Sequence, residues 1–257
     1  MNPIFTSEDI ALLLRLLTAH LLTDFVLQPG SWVNEKKLNH AKSISLYKHT
    51  LITAFVAYLF LAQWANWQIP LIIFITHTLI DIWKSYQVER VRYFIADQAM
   101  HTVVILFCWI WITSGFDVCF TPVEFVLIKP SFWVYIFAYL VTIYPLGFLI
   151  GMMVKKFKVQ LKNENSNQSS TAVNDETLAD AGRWIGIFER MLIITFVLNG
   201  QFGAIGFLIA AKSILRFNNK DEDRARKETE YVLVGTLISY TFSILIGLIA
   251  SWLINNL

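Results

Sequence analysis

The sequence predicts an all-α protein, built as a polytopic bundle of about eight transmembrane helices. Of its 257 residues, 56% are hydrophobic and only 16% are charged, whereas soluble domains carry about 25% charged residues. Apolar stretches close to the roughly 17–25 residues that cross a bilayer recur along the chain. Basic residues are concentrated in alternate loops between these stretches, as in multi-pass membrane proteins.

The amino-terminal part of the chain contains five of the predicted helices. They cover residues 10–28, 44–65, 67–86, 96–114 and 131–154. Thr6 or Ser7 is a suitable N-cap ahead of the first helix, and Pro29-Gly30 is expected to end it. Pro70 falls in the first turn of the third helix, where proline is tolerated.

The carboxy-terminal part of the chain contains three more predicted helices. They cover residues 183–198, 202–217 and 231–254. The first two are short and are joined by the turn Asn199-Gly200-Gln201. They either cross the membrane twice or form a re-entrant hairpin that enters from the cytoplasm, and both arrangements leave the other helices oriented alike.

The charges of the loops predict how the bundle is oriented in the membrane. Basic residues follow the first, third, fifth and seventh helices: Lys36, Lys37, Lys42, Arg90, Arg92, Lys155, Lys156, Lys158, Lys162, Lys220, Arg224, Arg226 and Lys227. The loops after the second and sixth helices carry no charge. Because short basic loops stay on the cytoplasmic side, we expect a multi-pass protein of the plasma membrane with both termini outside the cytoplasm.

The predicted domain organisation has three parts. Residues 1–154 form a five-helix membrane region, and residues 182–257 form a three-helix membrane region. Residues 155–181 between them are rich in Asn and Ser and have no apolar period. Such a composition is typical of a flexible linker, which the loop charges place in the cytoplasm.

Ionisable residues recur near the cytoplasmic ends of the first four predicted helices. His20/Asp24, His77/Asp81 and Asp97/His101 are each four residues apart, so each pair shares one helix face. His49 lies one turn into the second helix. Because ionisable groups inside a membrane are costly, they indicate a functional site. Taken singly, each pair is also explained by an internal hydrogen bond.

Imidazole and carboxylate groups are ligands for Zn²⁺, Mn²⁺ or Fe²⁺. The predicted ligands of such a divalent metal are His20, Asp24, His77, Asp81 and His101. Asp97 or His49 is a candidate for the general base. Four polar residues flank the cluster and could support the ligands or contact a substrate: Gln28, Lys36, Lys84 and Gln98. The fifth histidine, His40, falls in a predicted loop.

A second set of charged residues lies in the last three predicted helices. Arg190, Lys212 and Arg216 could bind an anion, since arginine matches the geometry of phosphate and lysine adds a point charge. Glu189 would support them. The alternative is an ion-pair network that closes the bundle, for example between Glu189 and Lys212.

Several classes of protein are not indicated. The sequence has no P-loop, no dinucleotide-binding glycine motif, no H-E-x-x-H and no G-x-S-x-G,. No basic and aromatic surface for nucleic acid is apparent beyond ordinary cytoplasmic loops. The expected partners are the lipid bilayer and a phosphate-containing lipid or small molecule.

The segments AHLLTDFVLQ, THTLIDIWK and DQAMH, together with Lys36 and His49, carry a resemblance to a known family. Over residues 10–110 the chain resembles bacterial inner-membrane proteins known as domain of unknown function 3307. The later segments GRWIGIFERMLI, AAKSILRF and EYVLVGTLIS resemble parts of longer members. The resemblance implies a bacterial inner-membrane location.

The H-x-x-x-D spacing is also similar to that of membrane-bound metal-dependent hydrolases and zinc-dependent phospholipase C. That likeness implies a metal that activates water on a phosphate ester. The leading hypothesis is therefore a metal-dependent hydrolase or transferase acting on a phosphate ester or lipid head group. A proton- or ion-coupled transporter and a non-catalytic membrane scaffold are the alternatives.

Overall fold

The computed structural model describes residues 5–113, 129–153, 172–217 and 223–257, and the side chains of residues 5–113, 129–153, 182–214 and 233–257. Nine α-helices and no strand occur in these ranges, which confirms the all-α prediction. The helices are α1 Ser7–Leu21, α2 Gly30–Asn39, α3 Ile44–Leu61, α4 Gln68–Ser85, α5 Val91–Thr113, α6 Pro130–Ile143, α7 Ala172–Leu198, α8 Phe202–Phe217 and α9 Asp223–Asn256. Helical structure also covers residues 145–153, after a turn at Tyr144.

Four helical segments of the described chain are long and apolar enough to cross a membrane. They are Ile44–Leu61, Val91–Thr113, Pro130–Met153 and Leu233–Asn256. A fifth candidate is the pair Ser7–Val26 and Gly30–Lys42, whose two parts are bent by 84°. The segment Phe202–Ile214 is apolar but shorter. The chain therefore has four or five candidate spans by length and composition.

The first helix begins as the sequence suggests. The Thr6 side chain accepts a hydrogen bond from the Asp9 backbone, and the Asp9 side chain accepts one from the Thr6 backbone, so the two residues form a capping box,. Thr6 is therefore the N-cap, and the helix starts at Ser7 rather than at residue 10. Glu8 and Asp9 fall in its first turn, where acidic residues favour the helix dipole.

The predicted loop after the first helix contains a further helix. A π-helix, Leu22–Val26, follows α1, and α2 begins directly after Pro29. The first helical segment ends at Val26, just before Pro29-Gly30, as expected. The new helix that starts there was not predicted: Pro29 stands at the N-cap of α2 with an extended backbone, and the two segments are bent by 84°.

Three other helices begin at least five residues earlier than predicted. α5 begins at Val91 rather than residue 96, α7 at Ala172 rather than residue 183, and α9 at Asp223 rather than residue 231. An apolar run in the sequence locates only the part of a helix that faces lipid or a core. A polar extension of the same helix is therefore not predicted. The predicted linker, residues 155–181, thus includes the first turns of α7, while its residues 155–171 lie outside the described ranges. The predicted three-part division stays a prediction.

The chain divides into two compact units, residues 1–140 with 257 and residues 141–256. In the first unit, α1, α3, α4 and α5 pack around a shared core. Its buried members are Leu12, Leu16, Ala19, Ala57, Leu61, Ile69, Ile73, Ile105, Cys108 and Trp109. Cys108 is fully buried there, as expected of a small core residue.

In the second unit, α7 and α9 approach closely. Gly247 of α9 faces Val197 of α7, and a Cβ placed on the glycine would lie 2.8 Å from the valine Cγ1. Small residues at such positions allow membrane helices to pack tightly. Ile193, Ile205 and Tyr240 complete this core.

Candidate metal centre

Four helices of the first unit bring a histidine to one level. α1 contributes from its last turn, α3 from its second turn, and α4 and α5 from near their middles. The histidines are His20, His49, His77 and His101, which are between 2% and 4% exposed. Because the helices alternate in direction, residues far apart in sequence reach the same depth. The predicted convergence of the cluster is present in the structure.

The four histidine rings form a continuous layer. The ring centroids of His77 and His101 are 4.1 Å apart, and those of His20 and His101 are 4.8 Å apart. His49 completes the layer, with its Nε2 atom 3.1 Å from His77 Nε2. Every ring therefore has another imidazole as a neighbour, and several ring nitrogens face a common space.

The carboxylates of Asp24, Asp81 and Asp97 form a second layer, on the side of the histidines that faces α2. Each of these aspartates is four residues from a histidine in the sequence. Asp24 Oδ1 lies 3.3 Å from His49 Nε2 and 3.4 Å from His77 Nε2. It also lies 3.7 Å from His20 Nδ1. One carboxylate oxygen is thus surrounded by imidazole nitrogens from three helices.

The other two carboxylates, Asp81 and Asp97, face His101. Its Nε2 atom is 3.9 Å from Asp81 Oδ1 and 3.7 Å from Asp97 Oδ1. The second oxygen of Asp81, Oδ2, lies 3.7 Å from His49 Nε2. Asp81 therefore directs one oxygen to each side of the cluster.

Two lysines cover the carboxylates. Lys36 of α2 donates a hydrogen bond to Asp81 Oδ2 at 2.6 Å, and Lys84 lies 3.0 Å from Asp97 Oδ2. Charge-assisted hydrogen bonds of this kind fix the orientation of a carboxylate. As a result, the Oδ1 atoms of both aspartates are left to face the histidines.

The π-helix after α1 positions Asp24. The Thr23 hydroxyl donates to the backbone oxygens of Ala19 and His20, both at 3.0 Å. Side-chain hydroxyls that bond to preceding carbonyls compete with the regular helix ladder. Both Thr23 and Asp24 lie in the wider turn that Leu27 N closes by donating to Leu22 O. Such π-turns are frequent at functional sites.

α2 is held in place by contacts on both sides. Glu35 accepts hydrogen bonds from Ser43 and Ser45, and Lys37 forms an ion pair with Glu89. His40 is hydrogen-bonded to Ser85. These contacts connect α2 to the start of α3, to α4 and to the loop that follows α4. They also show that His40, expected in a loop, has a structural partner.

The donor atoms of this cluster fit a metal ion. Three triads each bring one ligand atom per residue within 4.8 Å of the others: His20/His77/His101, Asp24/His49/His77 and Asp81/Asp97/His101. Three buried atoms, Asp24 Oδ1, Asp97 Oδ1 and His101 Nε2, have no hydrogen-bond partner in the described part of the chain. Since unpaired buried polar atoms are costly, a cation would satisfy several of them at once.

The predicted ligands and the predicted bases are therefore brought together. His20, Asp24, His77, Asp81 and His101 all lie in the triads, and so do the two candidates for the general base, His49 and Asp97. The general-base role stays a prediction.

The polar residues that were expected to flank the ligands differ in the contacts that they make. Gln98 lies 3.4 Å from His20 and donates to Asp97, and Lys84 contacts Asp97. Gln28 has no hydrogen bond from its Nε2 atom within the described residues.

The site lies within a region that is recognisable in other proteins. Residues 12–127 match the family of unknown function DUF3307. The DUF3307 match includes all seven histidine and aspartate residues of the cluster, together with Lys36 and Lys84. No curated protein and no solved structure was found to be similar to this chain.

An apolar cavity adjoins the histidine layer of the DUF3307 region on the side away from the carboxylates. Three of the histidines, His20, His77 and His101, line it. Leu16, Ile73 and Ile105, each one turn from a histidine on its own helix, also line it, together with Thr53, Ala57, Thr76 and Val104. The polar cluster therefore borders hydrophobic space directly, and its charged groups all lie at the other face.

The second predicted set lies outside the DUF3307 match, in the second unit. Lys212 forms an ion pair of 2.6 Å with Glu189, which is the network considered as the alternative to an anion site. Arg190 is buried beside Gly147 and donates to the backbone oxygen of Ile143 at 3.2 Å. The side chain of Arg216 lies outside the described residues. Anion binding by this set stays a prediction.

Proposed function

We infer that this chain is a membrane protein that binds a divalent metal ion in the His/Asp cluster and uses it to hydrolyse or transfer a phosphate ester. A lipid head group and a soluble phosphate ester share the chemistry that the site requires. The observation that carries this inference is the convergence of four histidines and three aspartates from four helices, with three buried donor atoms unpaired.

A cluster held together only by hydrogen bonds explains the geometry less well than a metal centre does. His49 Nε2 and His77 Nε2 face each other at 3.1 Å, and both face Asp24 Oδ1. A neutral imidazole carries one proton, so these three atoms compete for few hydrogens. Ligand atoms around a tetrahedral ion with bonds of about 2.1 Å lie about 3.4 Å apart. The observed separations are close to that value.

A divalent ion bound there would activate a water molecule and offset negative charge on a phosphate group. Side chains of the protein itself orient the ligands. Lys36 and Lys84 hold Asp81 and Asp97, and Gln98 bridges between His20 and Asp97. Both lysines also place positive charge beside the carboxylates, where a phosphate ester would approach.

We further infer a bacterial inner-membrane location with the site at the cytoplasmic end. Lys36, Lys37 and Lys42 are at the same end of the first unit as the cluster, and Arg90 and Arg92 follow α4 at that end. Positive charge in short loops favours the cytoplasmic side. Both termini would then lie outside the cytoplasm.

The packing of the first unit supports a one-sided site over a transport path. Beyond the apolar cavity, α1, α3, α4 and α5 are closed by the core that includes Leu12, Leu61, Ile69 and Trp109. A coupled transporter requires polar groups that continue across the membrane. Beyond the histidines the buried polar groups of these helices are few, chiefly Arg15, Thr18 and Thr53.

The test is metal analysis of the purified full-length protein after chelation and reloading with Zn²⁺, Mn²⁺ or Fe²⁺. We expect at least one equivalent of metal, with loss in His77→Ala and Asp81→Ala. His40→Ala is the matched control, since His40 lies outside the cluster, and it should retain the metal. Absence of stoichiometric metal with all three ions would refute the proposal.

The activity is tested separately on phosphate esters, in detergent and in lipid vesicles. We expect phosphate or head-group release that requires the reloaded metal and disappears in His77→Ala. Metal binding without any turnover would favour the scaffold alternative. Ion flux into vesicles that depends on His77 would favour the transporter.

A further inference from the structure

The cluster offers enough ligand atoms for two metal ions. Two of the three triads, Asp24/His49/His77 and Asp81/Asp97/His101, share no residue. Each has the three ligands that catalytic metal sites commonly use. We propose that the cluster is a dinuclear centre with one ion in each of these triads, bridged by the Asp81 carboxylate. This inference rests on the proposed metal-binding function.

The first site is compact and rich in nitrogen. Its three donor atoms, Asp24 Oδ1, His49 Nε2 and His77 Nε2, are separated by 3.1, 3.3 and 3.4 Å. These separations match the edges of a tetrahedral site with bonds of about 2.1 Å. The π-helix turn supplies Asp24, so the unusual backbone of this segment completes the first site.

The second site is wider and rich in oxygen. His101 Nε2 lies 3.7 Å from Asp97 Oδ1 and 3.9 Å from Asp81 Oδ1. Two of its donor atoms, Asp97 Oδ1 and His101 Nε2, are buried without a hydrogen-bond partner in the described chain. Carboxylate-rich sites suit Mn²⁺ or Mg²⁺ better than softer ions.

Asp81 connects the two sites. Its Oδ2 atom is 3.7 Å from His49 Nε2 in the first site, and its Oδ1 atom is 3.9 Å from His101 Nε2 in the second. A carboxylate with one oxygen toward each ion is a bridging ligand. Pairs of ions about 3.5–4 Å apart are a recurring arrangement in enzymes that cleave phosphate esters, so the dinuclear centre fits the proposed substrate class.

This assignment changes the expected roles of three residues. His49 and Asp97, which the sequence suggested as general bases, become ligands of the first and second ion. His20 is not needed by either triad. It lies 3.7 Å from Asp24 and 3.4 Å from Gln98, where it would orient the Asp24 ligand of the first site.

The experiment measures how many Mn²⁺ ions bind to the full-length protein and whether the ions are magnetically coupled. Element analysis should give two Mn²⁺ per chain, and electron paramagnetic resonance should show a coupled pair. His49→Gln and Asp97→Asn should each retain one uncoupled ion, because each removes a ligand of one triad only. Asp81→Asn should abolish the coupling. His40→Ala should retain the coupled pair.

The alternative results are distinguishable. One Mn²⁺ per wild-type chain would overturn the dinuclear centre and leave the proposed function intact, whereas no bound metal would remove both. Two ions that persist in His49→Gln and Asp97→Asn would place the sites elsewhere. Loss of both ions in each variant would overturn the division into two separable triads. Unfolding profiles matching the wild type would show that lost binding is not lost folding.

Discussion

Lys36 places a cationic side chain against Asp81 at 2.6 Å, although only 9% of the lysine is exposed. In the absence of metal this lysine is the nearest positive charge to Asp81. With metal bound, the carboxylate would have a second positive partner. A bound ion would therefore act on the same carboxylate as Lys36, and we expect the Lys36–Asp81 pair to stabilise the protein when no metal is bound.

Replacement of Lys36 by methionine tests this relation. Removing one partner of a buried ion pair typically costs about 3–5 kcal/mol, because the other charge stays buried and unpaired. We expect Lys36→Met to lower the melting temperature of the chelated protein markedly, and Mn²⁺ to restore most of the loss. Thermal unfolding of purified protein with and without Mn²⁺ measures both effects.

Lys37→Met is the matched control. Lys37 pairs with Glu89 at the surface, where its side chain is 41% exposed, and exposed pairs contribute about 0–1 kcal/mol. The melting temperature of Lys37→Met should differ little from that of the wild type, both with and without Mn²⁺. Equal destabilisation of the two variants, or a Lys36→Met loss that metal does not reduce, would contradict the argument.

Much of the residue-level arrangement could be predicted from the sequence. A spacing of four places a histidine and an aspartate on one helix face, and the loop charges place all three pairs at one end of the bundle. The partners of individual atoms could not be predicted in this way. That Lys36 reaches Asp81, and Lys84 reaches Asp97, depends on how α2 and α5 are placed in three dimensions.

Among the structural elements, the π-helix Leu22–Val26 has the most direct effect on the site. In a regular α-helix, the helical repeat alone would set the direction of the Asp24 side chain. Asp24 lies within the wider turn, directly after Thr23, whose hydroxyl bonds to Ala19 and His20. We therefore expect the orientation of Asp24 toward His49 and His77 to depend on Thr23.

Thr23→Val removes those bonds while nearly preserving the side-chain shape. We expect a loss of stability of about 1 kcal/mol and several-fold weaker metal binding, because Asp24 would be less firmly placed. Thr18→Val is the control, since the buried Thr18 hydroxyl has no hydrogen-bond partner in the described chain. Titration calorimetry with Mn²⁺ compares the two. Equal Mn²⁺ affinities of the two variants would show that Thr23 does not influence metal binding.

α2 was the element that sequence analysis missed. Pro29-Gly30 has the composition of a helix stop, and three lysines within the next thirteen residues indicate a loop. The helix begins where Pro29 can stand at its N-cap. Glu35 accepts hydrogen bonds from Ser43 and Ser45, 8 and 10 residues away, whereas Lys37 and His40 contact Glu89 and Ser85, 52 and 45 residues away. No local pattern in the sequence reveals the two longer-range contacts.

For the whole molecule, the proposed topology makes a prediction about access. The loop at residues 62–67 joins α3 to α4 at the end away from the cluster, and the loop at residues 86–90 lies at the cluster end. If the cluster faces the cytoplasm, only the first loop is reachable from outside an intact cell. Ala65 and Val88 are exposed positions in these two loops.

Single cysteines at these positions test the orientation, in a background where Cys108 and Cys119 are replaced by alanine. A membrane-impermeant thiol reagent should label Ala65→Cys in intact cells and should label Val88→Cys only after permeabilisation. The background protein is the unlabelled control. The reverse pattern would invert the topology and place the site outside the cytoplasm.

α4 has a consequence for how the protein is made. It carries His77, Asp81 and Lys84 within one 18-residue helix and is not among the four segments that qualify as candidate spans. Charged residues near a helix centre disfavour release into lipid by the insertion machinery. α3 is apolar, precedes α4 by a short turn and packs against it. We therefore expect the two helices to leave the translocon together as a hairpin, so that His77, Asp81 and Lys84 are shielded from lipid during synthesis.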